Sequence, residues 1–221
     1  MHILTITVID KYLNRRKKTM RIIHGSPYAR TNYVIWAMKE LGLDFDVNPV
    51  NPMKGETKHP DYLALNPNGL IPTLEEGDLI LWETMAINMY LAKTYGNGLL
   101  WATDPKEEAQ ITQWLAFGHI NLDKPAVDYL LHLNALPEEM RSEAKLEEAK
   151  TDIVPLLEVL DGHLAGKDYL VDGRFTIADL SLAAILDYPR KAGYDLSKYK
   201  NLSPWLARCV ERPIRVEMNK V

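Results

Sequence analysis

The chain has 221 residues, of which 47% are hydrophobic and 25% are charged, and its net charge is −4. This composition is typical of a soluble protein with one or two domains, and it gives no general attraction to nucleic acid. The one cysteine, Cys209, excludes an internal disulfide and a CxxC redox pair and fits a reducing compartment. Because no apolar run approaches the roughly 18 residues of a membrane span, we expect no membrane as partner. The negative net charge likewise leads us to expect no nucleic acid as partner.

The first nineteen residues differ from the rest of the chain. A mildly apolar run precedes the basic cluster at residues 15–18, whereas a secretory signal carries its charge first. We expect residues 1–19 to be a disordered extension or the product of an upstream start, with the basic cluster solvated rather than forming a binding patch. The compact protein is expected to begin near Met20, directly before an apolar run that reads as a first strand.

Strand and helix patterns alternate after Met20. A helix is predicted from the apolar spacing between Val34 and Leu41, and Gly42 ends it. Residues 44–50 alternate like a second strand. Residues 51–65 read as a polar connection that contains a short helical turn near its end.

The most informative stretch covers residues 66–87. It begins with the turn cluster Asn-Pro-Asn-Gly, continues with short apolar strands at 71–74 and 79–82, and then opens a helix at Thr84. A helix N-terminus offers free N–H groups and partial positive charge, which suit a carboxylate. Extended main chain at Ile71 could pair with a peptide. The stretch therefore indicates a site for a small, extended, anionic peptide, with a plain hairpin and a capped helix as the alternative reading.

The second half of the chain follows helical patterns. A linker is predicted at 96–103, followed by a long helix over 106–133 with a bend at Pro125. The acidic run at 136–139 is expected to open a further helix, and Pro155 to kink or divide it.

Phe-Thr-Ile-Ala-Asp-Leu at residues 175–180 is the strongest local pattern of this half. Thr176 can accept from the N–H of Asp179, and Asp179 can reach back to the N–H of Thr176. This reciprocal capping box is predicted to be structural rather than catalytic. A last helix is expected near residues 204–210.

Residues 66–74, followed by Leu-Trp-Glu-Thr-Met-Ala-Ile at 81–87, resemble the glutathione-binding core of the glutathione S-transferase family. That family shows an NPxGxVPxL run, whose proline is cis, and then an ES-x-AI run. The capping box resembles the same family, and the likeness covers about residues 20–213. It implies an α/β thioredoxin-like domain of order βαβαββα followed by an all-α domain. The predicted parts are a disordered extension at 1–19, a thioredoxin-like domain at 20–95, a linker at 96–103 and an all-helical domain at 104–221.

The resemblance also implies four glutathione-binding positions. The main chain of Ile71 would pair with the cysteinyl unit, and Glu83 would hold the γ-glutamyl amine. Thr84, with its helix N-terminus, would hold the γ-glutamyl carboxylate. Lys58 matches the lysine of a Gly-Glu-His-Lys pattern that binds the glycyl carboxylate, with Thr57 in place of the histidine. A solvated charge is the alternative reading of Lys58.

A donor for the glutathione sulfur is expected in the turn after the first strand, where family members carry Tyr, Ser or Cys. The usual serine position holds Ala29, which cannot donate. Tyr28 and Ser26 are therefore the first candidate catalytic residues, ahead of the nearby donors Arg30 and Thr31. A surface aromatic and a turn hydroxyl are their alternative readings, and an enzyme that uses only backbone N–H groups is a third.

The acceptor pocket implied by the family is lined partly by the long helix. Trp114, Phe117 and Tyr129 lie there, but aromatic residues at helical spacing are more often core than site. His119 is read as core or pocket wall, and Cys209 as buried packing. The remaining histidines show no metal-ligand spacing, so no metal and no cofactor are expected.

The resemblance thus implies a bacterial-like, homodimeric glutathione S-transferase with a detoxification role, which we expect to be cytoplasmic. Glutathione would be the co-substrate, and its thiolate would attack a small, largely apolar electrophile. A family member that has lost activity and serves as a binding or regulatory protein is one alternative. A glutathione-dependent peroxidase or disulfide reductase on the same fold is the other.

Overall fold

A computed structural model describes residues 21–171 and 173–220 of the chain. The predictions for residues 1–19, and for a start at Met20, lie outside these described residues.

Two compact units divide the chain. The sheet unit contains the residues up to Thr31 together with Asp44–Glu83, and the helical unit contains Asn32–Leu43 together with the chain from Thr84 onward. The first helix and the helix after the last strand are therefore grouped with the helical unit, although they belong to the thioredoxin-like order of elements.

A mixed four-stranded sheet of order β2-β1-β3-β4 forms the sheet unit. Its strands are β1 (Arg21–His24), β2 (Asp46–Asn48), β3 (Thr73–Glu76) and β4 (Leu79–Trp82). β1 runs parallel to β2 and antiparallel to β3, and β3 and β4 form a hairpin. The register places His24 opposite Asn48 on one side and opposite Thr73 on the other, so the end of β1 lies beside the start of β3.

Three helices complete the order βαβαββα, as the sequence predicts. They are α1 (Thr31–Glu40), α2 (Pro60–Leu65) and α3 (Thr84–Tyr95). The connection before α2 contains two short 3-10 turns, Pro52–Lys54 and Glu56–Lys58. These turns meet at Gly55, whose φ of 75° lies in the left-handed region that favours glycine. The chain is thus a thioredoxin-like α/β domain followed by an all-helical domain.

The helical unit contains six further helices among the described residues. They are α4 (Pro105–Ala116), α5 (Asp123–Leu130), α6 (Glu143–His163), α7 (Ile177–Lys191), α8 (Leu202–Val210) and α9 (Pro213–Met218). α4 and α5 are joined by a π-helical segment, Phe117–Leu122, and a second one, Leu131–Ala135, follows α5. The first π segment ends just before Pro125, and such wider turns are one way for a helix to accommodate a proline ring and its missing N–H.

The predicted start of the next helix is wrong. Residues 138–140 form only a 3-10 turn, and α6 begins at Glu143. The reason is the cap: Ser142 Oγ accepts from the N–H of Lys145 over 3.3 Å, whereas Pro137 provides no side-chain cap. Pro155 lies inside α6 and does not divide it.

Fully buried apolar side chains from α1 and from α4 to α8 form the core of the helical unit, among them Trp36, Leu115, Leu157, Ile185 and Trp205. Cys209 is also fully buried, and burial raises the pKa of its thiol, so it is a packing residue. The capping box at Thr176 and Asp179 is present as predicted. In the part of the chain that the structure describes, no helix is both long enough and apolar enough to cross a membrane.

Candidate functional site

Ile71 lies in the loop that leads into β3, two residues before the strand begins. The Ile71–Pro72 peptide bond is cis, and β3 begins only at Thr73. Within the described residues, neither the N–H nor the carbonyl of Ile71 makes a hydrogen bond. Since main-chain polar groups are normally paired, this open position is suited to an extended peptide that pairs with it.

Two side chains hold the carbonyl just before Ile71. The hydroxyl of Tyr62 donates to the Leu70 carbonyl over 2.6 Å, and the amide Nδ2 of Asn66 donates to it over 2.8 Å. Both also contact Oγ1 of Thr73, at 3.0 and 3.3 Å. Burial raises the pKa of the Tyr62 phenol, which keeps it protonated and able to donate. Neither Tyr62 nor Asn66 was a sequence-predicted site residue, because these contacts depend on where α2 lies against the loop.

Lys58 lies against the same loop. Its ammonium group donates to the carbonyls of Asn68 and Gly69, at 3.4 and 3.3 Å. A Cβ on Gly69 would lie 2.7 Å from the Lys58 Nζ, and the φ of Gly69 is 60°, so glycine is required for this approach. No carboxylate among the described residues pairs with Lys58, which leaves its charge available to an anion.

Glu83 has a strained backbone at the end of β4. Its φ is 71°, one of two positive values among the described non-glycine residues, and its side chain is exposed. Holding a non-glycine residue in this left-handed conformation costs free energy, and such residues cluster at ligand sites. Thr84 follows directly as the first residue of α3, and only 5% of it is exposed.

The turn after β1 contains both candidate sulfur donors. Tyr28 is 88% exposed, and its N–H donates to the Ser26 Oγ over 3.4 Å. The N–H of Ala29 donates to the Ser26 carbonyl over 3.1 Å, so Ser26 organises the turn. The hydroxyl of Thr31 is fully buried and faces Gly25, where a Cβ would lie 2.2 Å from it. Thr31 is thereby withdrawn from solvent, whereas Tyr28 is open to it.

A polar cluster that the sequence did not reveal lies at the end of β1. The ring of His24, of which 5% is exposed, lies 3.0 Å from the Asn48 amide nitrogen and 3.1 Å from a Glu75 carboxylate oxygen. His24, Lys58 and Tyr62 line part of a cavity of about 660 Å³ within the sheet unit.

The aromatic residues of the long helix pack within the helical unit. Trp114 is 8% exposed, and its ring centroid lies 5.3 Å from that of Phe117 and 4.4 Å from that of His163. Tyr129 is also buried and makes an edge contact with Tyr194. His119 lies half-buried in the first π segment. Within the described residues, no group of three or more potential ligands could hold a metal ion.

The sheet unit therefore combines a thioredoxin-like sheet, a cis-prolyl loop with open main-chain groups and an available lysine. That combination is suited to binding a small, extended, anionic peptide. Comparison with known proteins identifies the class of protein. Residues 19–93 match the family model described as glutathione S-transferase, N-terminal domain, and residues 125–213 match the corresponding C-terminal domain model.

Curated relatives point to the same family. The chain is 31% identical over 182 residues to glutathione S-transferase GstB of Escherichia coli K12, covering 81% of this chain and 88% of the relative. It is 33% identical over 187 residues to a glutathione S-transferase of Hyoscyamus muticus, with the same coverage of each.

Solved structures give the same result. A theta-class glutathione S-transferase from Xanthomonas axonopodis pv. citri, with glutathione bound, superimposes with a TM-score of 0.84 at 30% identity, covering 90% of this chain and 96% of that one. Poplar glutathione transferase F1 gives a TM-score of 0.83 at 26% identity, covering 91% and 97%. The chain belongs to the glutathione S-transferase family and is an enzyme that conjugates glutathione.

Proposed function

We propose that this transferase binds glutathione along the main chain of Ile71. The observation that carries the proposal is the open N–H and carbonyl of that residue beside the cis Pro72 bond. The cysteinyl unit of glutathione has one N–H and one carbonyl, so an extended tripeptide can satisfy both groups as an added strand would.

Charged groups then orient the two ends of the tripeptide. Lys58 binds the glycyl carboxylate, since its ammonium lacks a carboxylate partner among the described residues. Glu83 binds the γ-glutamyl amine through its exposed carboxylate. The γ-glutamyl carboxylate is held by Thr84 and the free N–H groups at the start of α3, where the helix dipole favours an anion.

Tyr28 and Ser26 act in stabilising the thiolate of glutathione. An ordinary thiol has a pKa near 8.5, so little of it is the nucleophilic thiolate at neutral pH. Lowering that pKa by about two units corresponds to roughly 2.7 kcal/mol of thiolate stabilisation. The exposed hydroxyl of Tyr28 donates to the sulfur, and Ser26 Oγ fixes the turn by accepting the Tyr28 N–H.

The acceptor is a small, largely apolar electrophile, and the protein acts as a cytoplasmic homodimer in detoxification. These proposals rest on membership of the family rather than on a particular contact. Glutathione is the co-substrate, and no bound cofactor is needed because the thiolate itself is the nucleophile.

Glutathione-affinity capture combined with a chloro-nitroaromatic conjugation assay tests the function. The expected result is retention on immobilised glutathione, elution by free glutathione and formation of the thioether product. An inactive family member would give no product at any pH. Turnover restricted to a peroxide or a disulfide would indicate the reductase alternative instead.

A further inference from the structure

We propose that Tyr62 is a positioning residue for the transferase reaction, because its hydroxyl fixes the peptide plane between Leu70 and Ile71 and so aims the Ile71 N–H at the cysteinyl carbonyl of glutathione. This inference rests on the binding mode proposed above. It assigns a role in co-substrate binding to a side chain that does not itself touch the co-substrate.

The direction of the Ile71 N–H is set by the peptide bond between Leu70 and Ile71. The Leu70–Ile71 bond is trans, since the cis bond among the described residues is the following one, Ile71–Pro72. In a trans peptide the carbonyl and the N–H of the same plane point in opposite directions. Fixing the Leu70 carbonyl therefore fixes the direction of the Ile71 N–H.

Tyr62 and Asn66 both lie on the carbonyl side of that plane. Their donors approach the Leu70 oxygen to 2.6 and 2.8 Å, so both of its lone-pair directions are used. The Ile71 N–H is consequently directed away from this buried cluster, and it has no acceptor among the described residues. These two hydrogen bonds therefore leave the Ile71 N–H open as the donor that an added peptide strand requires.

The Tyr62 hydroxyl also links the two sides of the cis bond. It donates to the carbonyl of Leu70, which precedes the bond. It also lies 3.0 Å from Oγ1 of Thr73, which follows the bond. The Tyr62 ring is buried and makes an edge contact with His24, with centroids 6.5 Å apart. A phenylalanine would retain that packing, so Tyr62→Phe removes the hydroxyl with little other change.

The first experiment separates positioning from stability. Tyr62→Phe is expected to raise the KM for glutathione about three- to tenfold, with kcat within about twofold, because one neutral hydrogen bond is lost and Asn66 still holds the carbonyl. Tyr199→Phe, at a buried tyrosine of the helical unit, is the matched control and should leave both constants unchanged.

The second experiment locates the loss on the tripeptide. Calorimetry measures binding of S-methylglutathione and of γ-glutamylcysteinamide, which lacks the glycyl unit that Lys58 would bind. Tyr62→Phe should weaken the binding of both probes by the same factor, since the Ile71 N–H contacts the cysteinyl unit that both contain.

The outcomes are distinguishable. If wild-type protein binds neither probe, the proposed function itself fails. If wild type binds both and Tyr62→Phe binds them equally well, this inference is overturned while the function stands. A loss seen only with S-methylglutathione would also overturn it, because that result places the loss at the glycyl unit rather than at the cysteinyl unit.

Discussion

The indole Nε1 of Trp205 donates a hydrogen bond to Oδ1 of Asp179 over 2.9 Å, in the fully buried first turn of α7. The same carboxylate accepts from the N–H of Leu170 at 2.8 Å and from the N–H of Thr176 at 2.9 Å. The capping box is thus the centre of a buried network that ties α8 and the segment before α7 to the start of that helix. Its loss would affect the whole helical unit.

Asp179→Ala is expected to lower the free energy of unfolding by at least about 2 kcal/mol, because several buried donors lose their acceptor at once. Thr176→Ala should cost about 1 kcal/mol, since it removes one cap acceptor. Urea unfolding followed by circular dichroism measures both. Equal stability of the two variants and wild type would show that the network contributes nothing.

Lowering the pH should reduce the free energy of unfolding by protonating the Asp187 carboxylate. Burial alone would raise the pKa of this carboxyl, but hydrogen bonds from Arg215, Arg190 and Lys191 outweigh it and hold the pKa below its ordinary value of 3.8. The unfolded state then binds the proton more readily, so the contribution of Asp187 is complete above pH 3.8 and is lost as pH falls through the lower folded pKa.

Asp187→Asn should therefore cost about 3–5 kcal/mol near pH 7, because it leaves the buried guanidinium of Arg215 without its carboxylate. The difference from wild type should shrink below pH 3.8. Asp168→Asn, at an exposed ion pair with Arg208, is the control and should change stability little. A constant difference between Asp187→Asn and wild type across the acid range would refute the linkage.

Substitution by alanine should change the free energy of unfolding in opposite directions at two helical glycines. A Cβ on Gly118 would lie 2.6 Å from Cδ1 of Leu182, whereas a Cβ on Gly162 meets nothing within 4 Å. Gly162→Ala should raise the free energy of unfolding by about 0.5–1 kcal/mol through the unfolded state. Gly118→Ala should lower it by about 1–3 kcal/mol through overpacking against α7. Thermal unfolding compares the stability of the two variants with that of wild type. A stabilising effect of Gly118→Ala would contradict the close approach of Gly118 to Leu182.

Tyr28→Phe should lower kcat/KM at pH 6.5 on the order of 100-fold, because the sulfur loses its donor. It should also move the pH midpoint of kcat/KM upward toward the pKa of the free thiol. Ser26→Ala should reduce activity less, since its oxygen only orders the turn. A large loss in Ser26→Ala beside a near-normal Tyr28→Phe would reverse the two roles.

Much of the fold could be predicted because its signals are local. The apolar spacing from Val34 to Leu41 specified α1, and the reciprocal side chains of Thr176 and Asp179 specified the start of α7. The start of α6 was misplaced because the acidic residues at 138–139 favour any helix N-terminus, while the deciding cap, Ser142, follows them.

The site was only partly predictable. A motif predicts Ile71, Lys58, Glu83 and Thr84 as binding residues, and these roles stay predictions. The hydrogen bonds from Tyr62 and Asn66 to the Leu70 carbonyl could not be predicted from the sequence, since they form only when α2 packs beside the loop. The π segment at Phe117–Leu122 was also unforeseen, because helical periodicity does not distinguish an added residue within a long helix.

A crystal structure of the protein with glutathione tests the central claim most directly, through the distance from the Ile71 nitrogen to the cysteinyl carbonyl oxygen. We predict a hydrogen bond of about 2.7–3.2 Å, with the sulfur facing the turn that carries Tyr28. Glutathione bound with its cysteinyl unit away from Ile71 would contradict the account.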